Sequence, residues 1–145
     1  MLTVVEGIER VPARHAIVLL HAVGWFSDRP DAVRVLCDVV LRRGDVPSLR
    51  SIDAFVTKTC RFTPHLSHVF DDYRRHLSSF SKRLFDPFAR RDRITLLAGT
   101  VTISTTVGQI NFIRWFIEAG VGERMRQEDV GFSKEPRVAV AGFAC

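Results

Sequence analysis

The sequence predicts an all-α fold: one helical domain spanning residues 1–145, with about six or seven helices packed around a central hydrophobic one. Three observations carry this. The segment from Val107 to Gly120 is apolar on nearly every side, and in a chain of 145 residues a helix is apolar all round only when other helices surround it. Val33, Leu36, Cys37, Val40 and Leu41 recur at i, i+3, i+4, i+7 and i+8, the spacing of one helix face. Leu66, Val69, Phe70, Tyr73, Leu77, Phe80 and Leu84 trace a second such stripe in alternating three- and four-residue steps.

The elements follow in order. Pro12 precedes a first helix over about residues 13–26, with Gly24-Trp25-Phe26 near its end. Asp28-Arg29-Pro30-Asp31 restarts the chain as a helix, since an acidic cap and an early proline both suit an N-terminus, and Gly44 ends it. Pro47-Ser48 opens a segment with Leu49, Ile52, Phe55 and Val56 on one face. Thr63 caps the next helix and Pro64 is its first residue; Asp86-Pro87 breaks the stripe that follows. Thr100 to Thr106 is β-branched and alternating, a strand by propensity. No partner strand is evident and an isolated strand is unstable, so Arg91 to Ser104 is expected to be a helix held by tertiary packing. After the central helix Gly120 and Gly122 punctuate, with a run on through Arg124 to Gln127 as the alternative, and residues 130–145 have no clear pattern.

Composition excludes several classes. Hydrophobic residues make up 46% and charged residues 26%, which is globular rather than disordered or fibrous. The net charge of +5 is carried mostly by arginine, scattered as pairs near acidic neighbours (Arg42-Arg43, Arg74-Arg75, Arg90-Arg91) and read as a solvated surface. A helix-turn-helix at Thr63-Pro64 with Arg74 and Arg75 on phosphate is outweighed by the apolar stripe on the same helix, so no nucleic-acid partner is expected. Cys37, Cys60 and Cys145 are odd in number without metal-type spacing, which favours a reducing compartment. The apolar run Ala16–Ala22 is too short to span a membrane, and Glu6 and Glu9 upstream do not suit a signal peptide, so no transmembrane segment is expected and a cytoplasmic setting is.

Catalytic chemistry is sparse. His65, His68 and Asp72 share one helix face as a sterically feasible two-histidine, one-carboxylate set, but no second ligand cluster completes it. Asp71-Asp72 are adjacent and so diverge on a helix. With no nucleophile elbow, zinc motif, P-loop or dinucleotide fingerprint, the expectation is a non-enzyme without cofactor or metal. Gly108, at the entrance of the central helix, lacks a Cβ and so admits close approach of another backbone or a ligand.

Two motifs and the helix order resemble the B-cell lymphoma-2 family of apoptosis regulators. Thr106-Val107-Gly108-Gln109-Ile110 with Phe112, Trp115 and Phe116 is similar to that family's first homology region, Asn-Trp-Gly-Arg-Ile before an aromatic-rich central helix. Leu66-Ser-His-Val-Phe-Asp71-Asp72-Tyr73-Arg74-Arg75 resembles the third region, and Val33 to Gly44 its first helix; the likeness covers roughly residues 31–120. Thr106 and Gln109 replace the family's asparagine and arginine, and no second homology region or membrane anchor is present, a reduction typical of short viral members. The resemblance implies an inhibitor of host-cell apoptosis, cytoplasmic or mitochondria-associated through its partners. It would take the amphipathic death-motif helix of pro-apoptotic proteins in a surface groove. That groove would be walled by Phe70, Tyr73, Leu77, Phe80 and Leu84, with Val107, Gly108 and Phe112 at its floor. Gln109 would bond the ligand's aspartate, with Arg93 or Arg114 supplying charge. The alternative keeps the fold and uses exposed helix faces, as a homodimer or as an inhibitor of innate immune signalling.

Overall fold

The computed structural model describes residues 1–88 and 90–131. The pattern around Thr100–Thr106 is decided in favour of strand. β1 (Leu2–Glu6), β2 (Ile94–Ala98) and β3 (Val101–Thr105) form an antiparallel sheet in the order β1-β2-β3. The all-α, B-cell lymphoma-2-like fold expectation is therefore corrected to a mixed α/β fold: helices packed with a three-stranded sheet. The helix expected over Arg91 to Ser104 is a hairpin. Its two strands pair from Ile94↔Thr105 to Ala98↔Val101 across Gly99-Thr100. Gly99 has φ +65° at the first loop position, a conformation that two-residue hairpin loops require and other side chains resist. The strand thus has its nearest partner two residues away. Its second neighbour, β1, comes from the chain's start, with Leu2 opposite Ala98 and Glu6 opposite Thr95. Period-two burial follows: Ile94, Leu96, Ile103 and Thr105 face the core while Thr102 and Ser104 are exposed.

The helices largely follow their signals. α1 (Ala13–Ser27) begins after Pro12, and α2 (Pro30–Leu41) has proline in its first turn and ends at Arg42, which adopts a left-handed φ of 58°. α3 (Leu49–Ala54) is capped by Ser48, whose hydroxyl accepts the Ser51 N–H. The chain then widens through a π-helical stretch, Phe55–Thr59, into α4 (Cys60–Phe62). Pro64–Leu66 forms a 3-10 turn rather than the first turn of the next helix, and α5 (Ser67–Phe80) starts after it. α5 stops at Ser81, φ 69°, before Asp86-Pro87, so Leu84 lies in the following loop and not on the helix stripe. α6 (Val107–Glu118) is the expected central helix: Thr106 caps it by accepting the Gln109 N–H at 3.1 Å. It packs on α1 and α2, and it meets α5 where Tyr73 and Trp115 are 5.9 Å apart between ring centroids. Gly120 breaks it, and α7 (Val121–Gln127) is a separate helix. One cluster of buried residues, from Leu2 through Met125, joins sheet and helices. Cys145 and the stretch beyond residue 131 lie outside the described residues.

Candidate anion-binding cavity

The entrance of α6 ties down the segment after α5. The Gly108 carbonyl accepts the Asp86 N–H at 3.2 Å, Gln109 Nε2 donates to the Pro87 carbonyl at 3.0 Å, and Asn111 Nδ2 donates to the Leu84 carbonyl at 2.7 Å. Gln109 is itself held by the Thr105 hydroxyl, which donates to Oε1 at 2.7 Å. A Cβ on Gly108 would stand 3.0 Å from the Arg83 carbonyl oxygen and 3.4 Å from the Asp86 nitrogen. The close approach at Gly108 is thus made by the chain's own backbone. Residues 81–88 are latched to α6 by partners that leave no buried side-chain polar atom unsatisfied among the described residues.

The nine groove residues converge on this seam. Tyr73, Val107, Gly108, Gln109 and Phe112 are buried, and Phe70, Leu77, Phe80 and Leu84 are partly buried against the core. Between them sits Phe85, 1% exposed, a residue the sequence pattern did not single out. Its ring lies 5.8 Å from Tyr73, 6.3 Å from Phe80, 5.4 Å from Phe112 and 5.7 Å from Trp115. The space between the expected groove walls is occupied by this side chain. Gln109 spends its amide on Thr105 and Pro87, and Arg114 is paired with Glu118 and Asn111.

A cavity of about 500 Å³ borders the 81–88 segment and the start of α6. Arg10, Arg83, Arg90, Arg91 and His15 line it with a single carboxylate, Asp92; Val11, Pro12 and Val107 form its apolar wall. Strand pairing gathers these residues from both ends of the sequence. Because β1 runs antiparallel to β2, the residues leaving β1 lie beside those entering β2, and Arg10 Nη2 donates to the Arg93 carbonyl at 2.9 Å. Arg90 is neutralised by buried Asp86, with bonds of 3.1 and 3.0 Å to the two carboxylate oxygens, while the Phe88 N–H holds the same group. No hydrogen bond or ion pair engages the side chains of Arg83 and Arg91 among the described residues.

Two helix N-termini meet this cavity. Pro12 and His15 belong to the start of α1, and Val107 is the first residue of α6. The His15 N–H is taken by the Pro12 carbonyl at 2.9 Å and the Gln109 N–H by the Thr106 hydroxyl, which leaves the remaining first-turn N–H groups and the dipole. A helix N-terminus carries the positive end of the helix dipole, so sequences usually place acidic residues there. Neither first turn contains one, and α1 has Arg14 in that position instead. The pKa of His15 lies below the usual imidazole value, through burial first and then the charges of Arg14 and Arg83. A cavity so arranged concentrates positive potential, and an anion inside it would relieve that repulsion.

The remaining candidates lie elsewhere. His65 turns to Glu128 at 2.9 Å, and Asp72 accepts from Trp115 Nε1 at 2.7 Å and from Arg75 at 3.0 Å. Among the described residues no three metal-ligating side chains converge. Cys37 and Cys60 are buried free thiols, and burial raises both pKa values, that of Cys60 to about 11. Neither has thiolate character at neutral pH.

Residues 9–128 match a family described as "Family of unknown function (DUF7197)", a stretch that contains every residue lining the cavity. The chain belongs to the DUF7197 family. Over 56 residues this DUF7197 protein is also 29% identical to Uncharacterized protein L507 of Acanthamoeba polyphaga mimivirus, covering 34% of the chain. It spans only 22% of the length of that relative. No solved structure matches the DUF7197 chain. No helix among its described residues is long and apolar enough to cross a membrane.

Proposed function

We propose that this DUF7197 protein is a non-catalytic binding module for a phosphate-bearing anion, taken in the cavity between the starts of α1 and α6. The observation that carries the reading is the pair of guanidinium groups, Arg83 and Arg91, that no hydrogen bond or ion pair engages among the described residues. They share the cavity with His15 and two helix N-termini, where Arg10 is paired with Glu9 at 3.4 Å and Arg90 with Asp86. Guanidinium forks match phosphate oxygens bidentately, and helix N-termini favour the same ligand. The candidate nucleophiles Cys37 and Cys60 do not line this cavity, which favours binding over catalysis. The mimivirus relative is compatible with a viral setting. Capture of an amphipathic death-motif helix, the function implied by the B-cell lymphoma-2 resemblance, is a different proposal. It requires Phe85 and the 81–88 segment to leave α6.

Calorimetric titration of the chain with inorganic pyrophosphate tests the reading. Saturable binding is expected, weakening as salt is raised because the contacts are partly solvent-exposed. Arg83→Ala combined with Arg91→Ala removes two charge-assisted contacts worth about 1.5–3 kcal/mol each, so affinity should fall by roughly 100-fold or more. Both side chains are exposed, and the variant should keep its helical circular dichroism. Absence of binding by the wild-type chain, or equal affinity in the double variant, would remove the proposal.

A further inference from the structure

Resting on the anion-binding reading, we infer that the ligand is a compact organic phosphate of the mononucleotide class, carrying a planar ring and hydroxyl groups, rather than a free inorganic anion or a polymer. Three features of the cavity point there. Its volume of about 500 Å³, open to solvent along its arginine side chains, falls in the range of small-molecule clefts. Bare phosphate would leave most of that space to water.

The second feature is the mixed lining. Val11, Pro12 and Val107 add apolar surface to a lining otherwise made by guanidinium groups, His15 and Asp92. A ligand that satisfies both joins an apolar part, such as a nucleoside ring, to a phosphate. Asp92 is the third feature. A carboxylate repels phosphate but accepts hydrogen bonds from hydroxyl or amino groups, so its presence suits a ligand with donors next to its charge.

A polymer would need a continuing track of free cations. Arg43, Arg75, Arg114 and Arg126 are each paired with a carboxylate, while Arg14 and Lys82 show no ion pair among the described residues, so the oligothymidylate arm of the titration decides between polymer and mononucleotide.

Titrating the chain with ADP, pyrophosphate and a short oligothymidylate separates the outcomes. ADP is expected to bind about 10-fold more tightly than pyrophosphate. Asp92→Ala should weaken ADP while leaving pyrophosphate unchanged or tighter, because only ADP brings donors to that carboxylate. Pyrophosphate binding as tightly as ADP would overturn this inference and leave the anion reading intact. Tighter binding of the oligothymidylate would overturn it in favour of a polymer. Binding of none of the three would remove the anion reading itself.

Discussion

Trp115→Ala is expected to lower the free energy of unfolding by about 3–5 kcal/mol, the range for deleting a buried large aromatic ring. Trp115 is 1% exposed and lies at the centre of a ring cluster: Phe85 and Phe112 at 5.7 Å, Tyr73 at 5.9 Å and His76 at 6.1 Å. Its indole N–H also donates to Asp72 across 43 positions of sequence, joining α6 to α5. Urea unfolding followed by circular dichroism measures the loss. Trp115→Phe keeps most of the packing and removes the hydrogen bond, so a loss of about 1–3 kcal/mol is expected. The same variant has a pH signature. Burial pushes the Asp72 pKa up, but the Trp115 hydrogen bond, His76 and Arg75 together hold it below the usual aspartate value. A lowered folded pKa contributes stability that is present above the unfolded value and is lost as pH falls through the folded one. Without the indole donor the Asp72 pKa rises and this contribution shrinks, so acid unfolding should begin at a higher pH. An unchanged acid transition in Trp115→Phe would show that the bond does not stabilise the fold.

Gly108→Glu is expected to be the second most damaging change, through backbone rather than ring packing. Even a Cβ meets the Arg83 carbonyl at 3.0 Å, and that atom belongs to a main chain latched at Leu84, Asp86 and Pro87. A glutamate must displace the segment or bury its carboxylate beside Asp86, at a cost of several kcal/mol. Total stabilities of about 5–15 kcal/mol leave little reserve for that. Gly108→Ala gives the graded version: overpacking costs about 1–3 kcal/mol, partly offset by roughly 1 kcal/mol of helix propensity. Since Arg83 sits on the displaced segment, pyrophosphate affinity should fall along with the melting temperature. Wild-type stability in Gly108→Glu is the result that would contradict the latch.

The helices were legible because their signals are local. Pro12 before α1, proline at the start of α2 and Pro47-Ser48 before α3 lie within a few residues of the turns they govern. The sheet was not, because one edge strand is Leu2–Glu6, more than 80 residues from its partner. The alternation of Thr100–Thr106 pointed to strand, and the two-residue loop at Gly99 was the signal that could have named its neighbour. The aromatic residues expected to line a groove do meet, but Phe85, just past the end of the helical stripe, fills the space between them. Periodicity identifies an apolar face without saying what covers it. The arginine cavity was illegible for the same reason as the sheet. Arg10 and Arg91 become neighbours only through the β1–β2 register, and in the linear sequence they read as scattered charge.

If the cavity receives a phosphate, His15 reports on it from the lining. Its pKa is lowered by burial and by Arg14 and Arg83, so the free protein gains stability as pH rises from that folded pKa toward the unfolded imidazole value. A bound anion opposes the arginine field and favours the imidazolium. The decisive measurement is the His15 titration by NMR, with and without saturating pyrophosphate. The expected result is a higher His15 pKa in the presence of pyrophosphate, with the increase lost in the Arg83→Ala, Arg91→Ala variant. A His15 titration that pyrophosphate leaves unmoved would contradict the assignment of the cavity as an anion site.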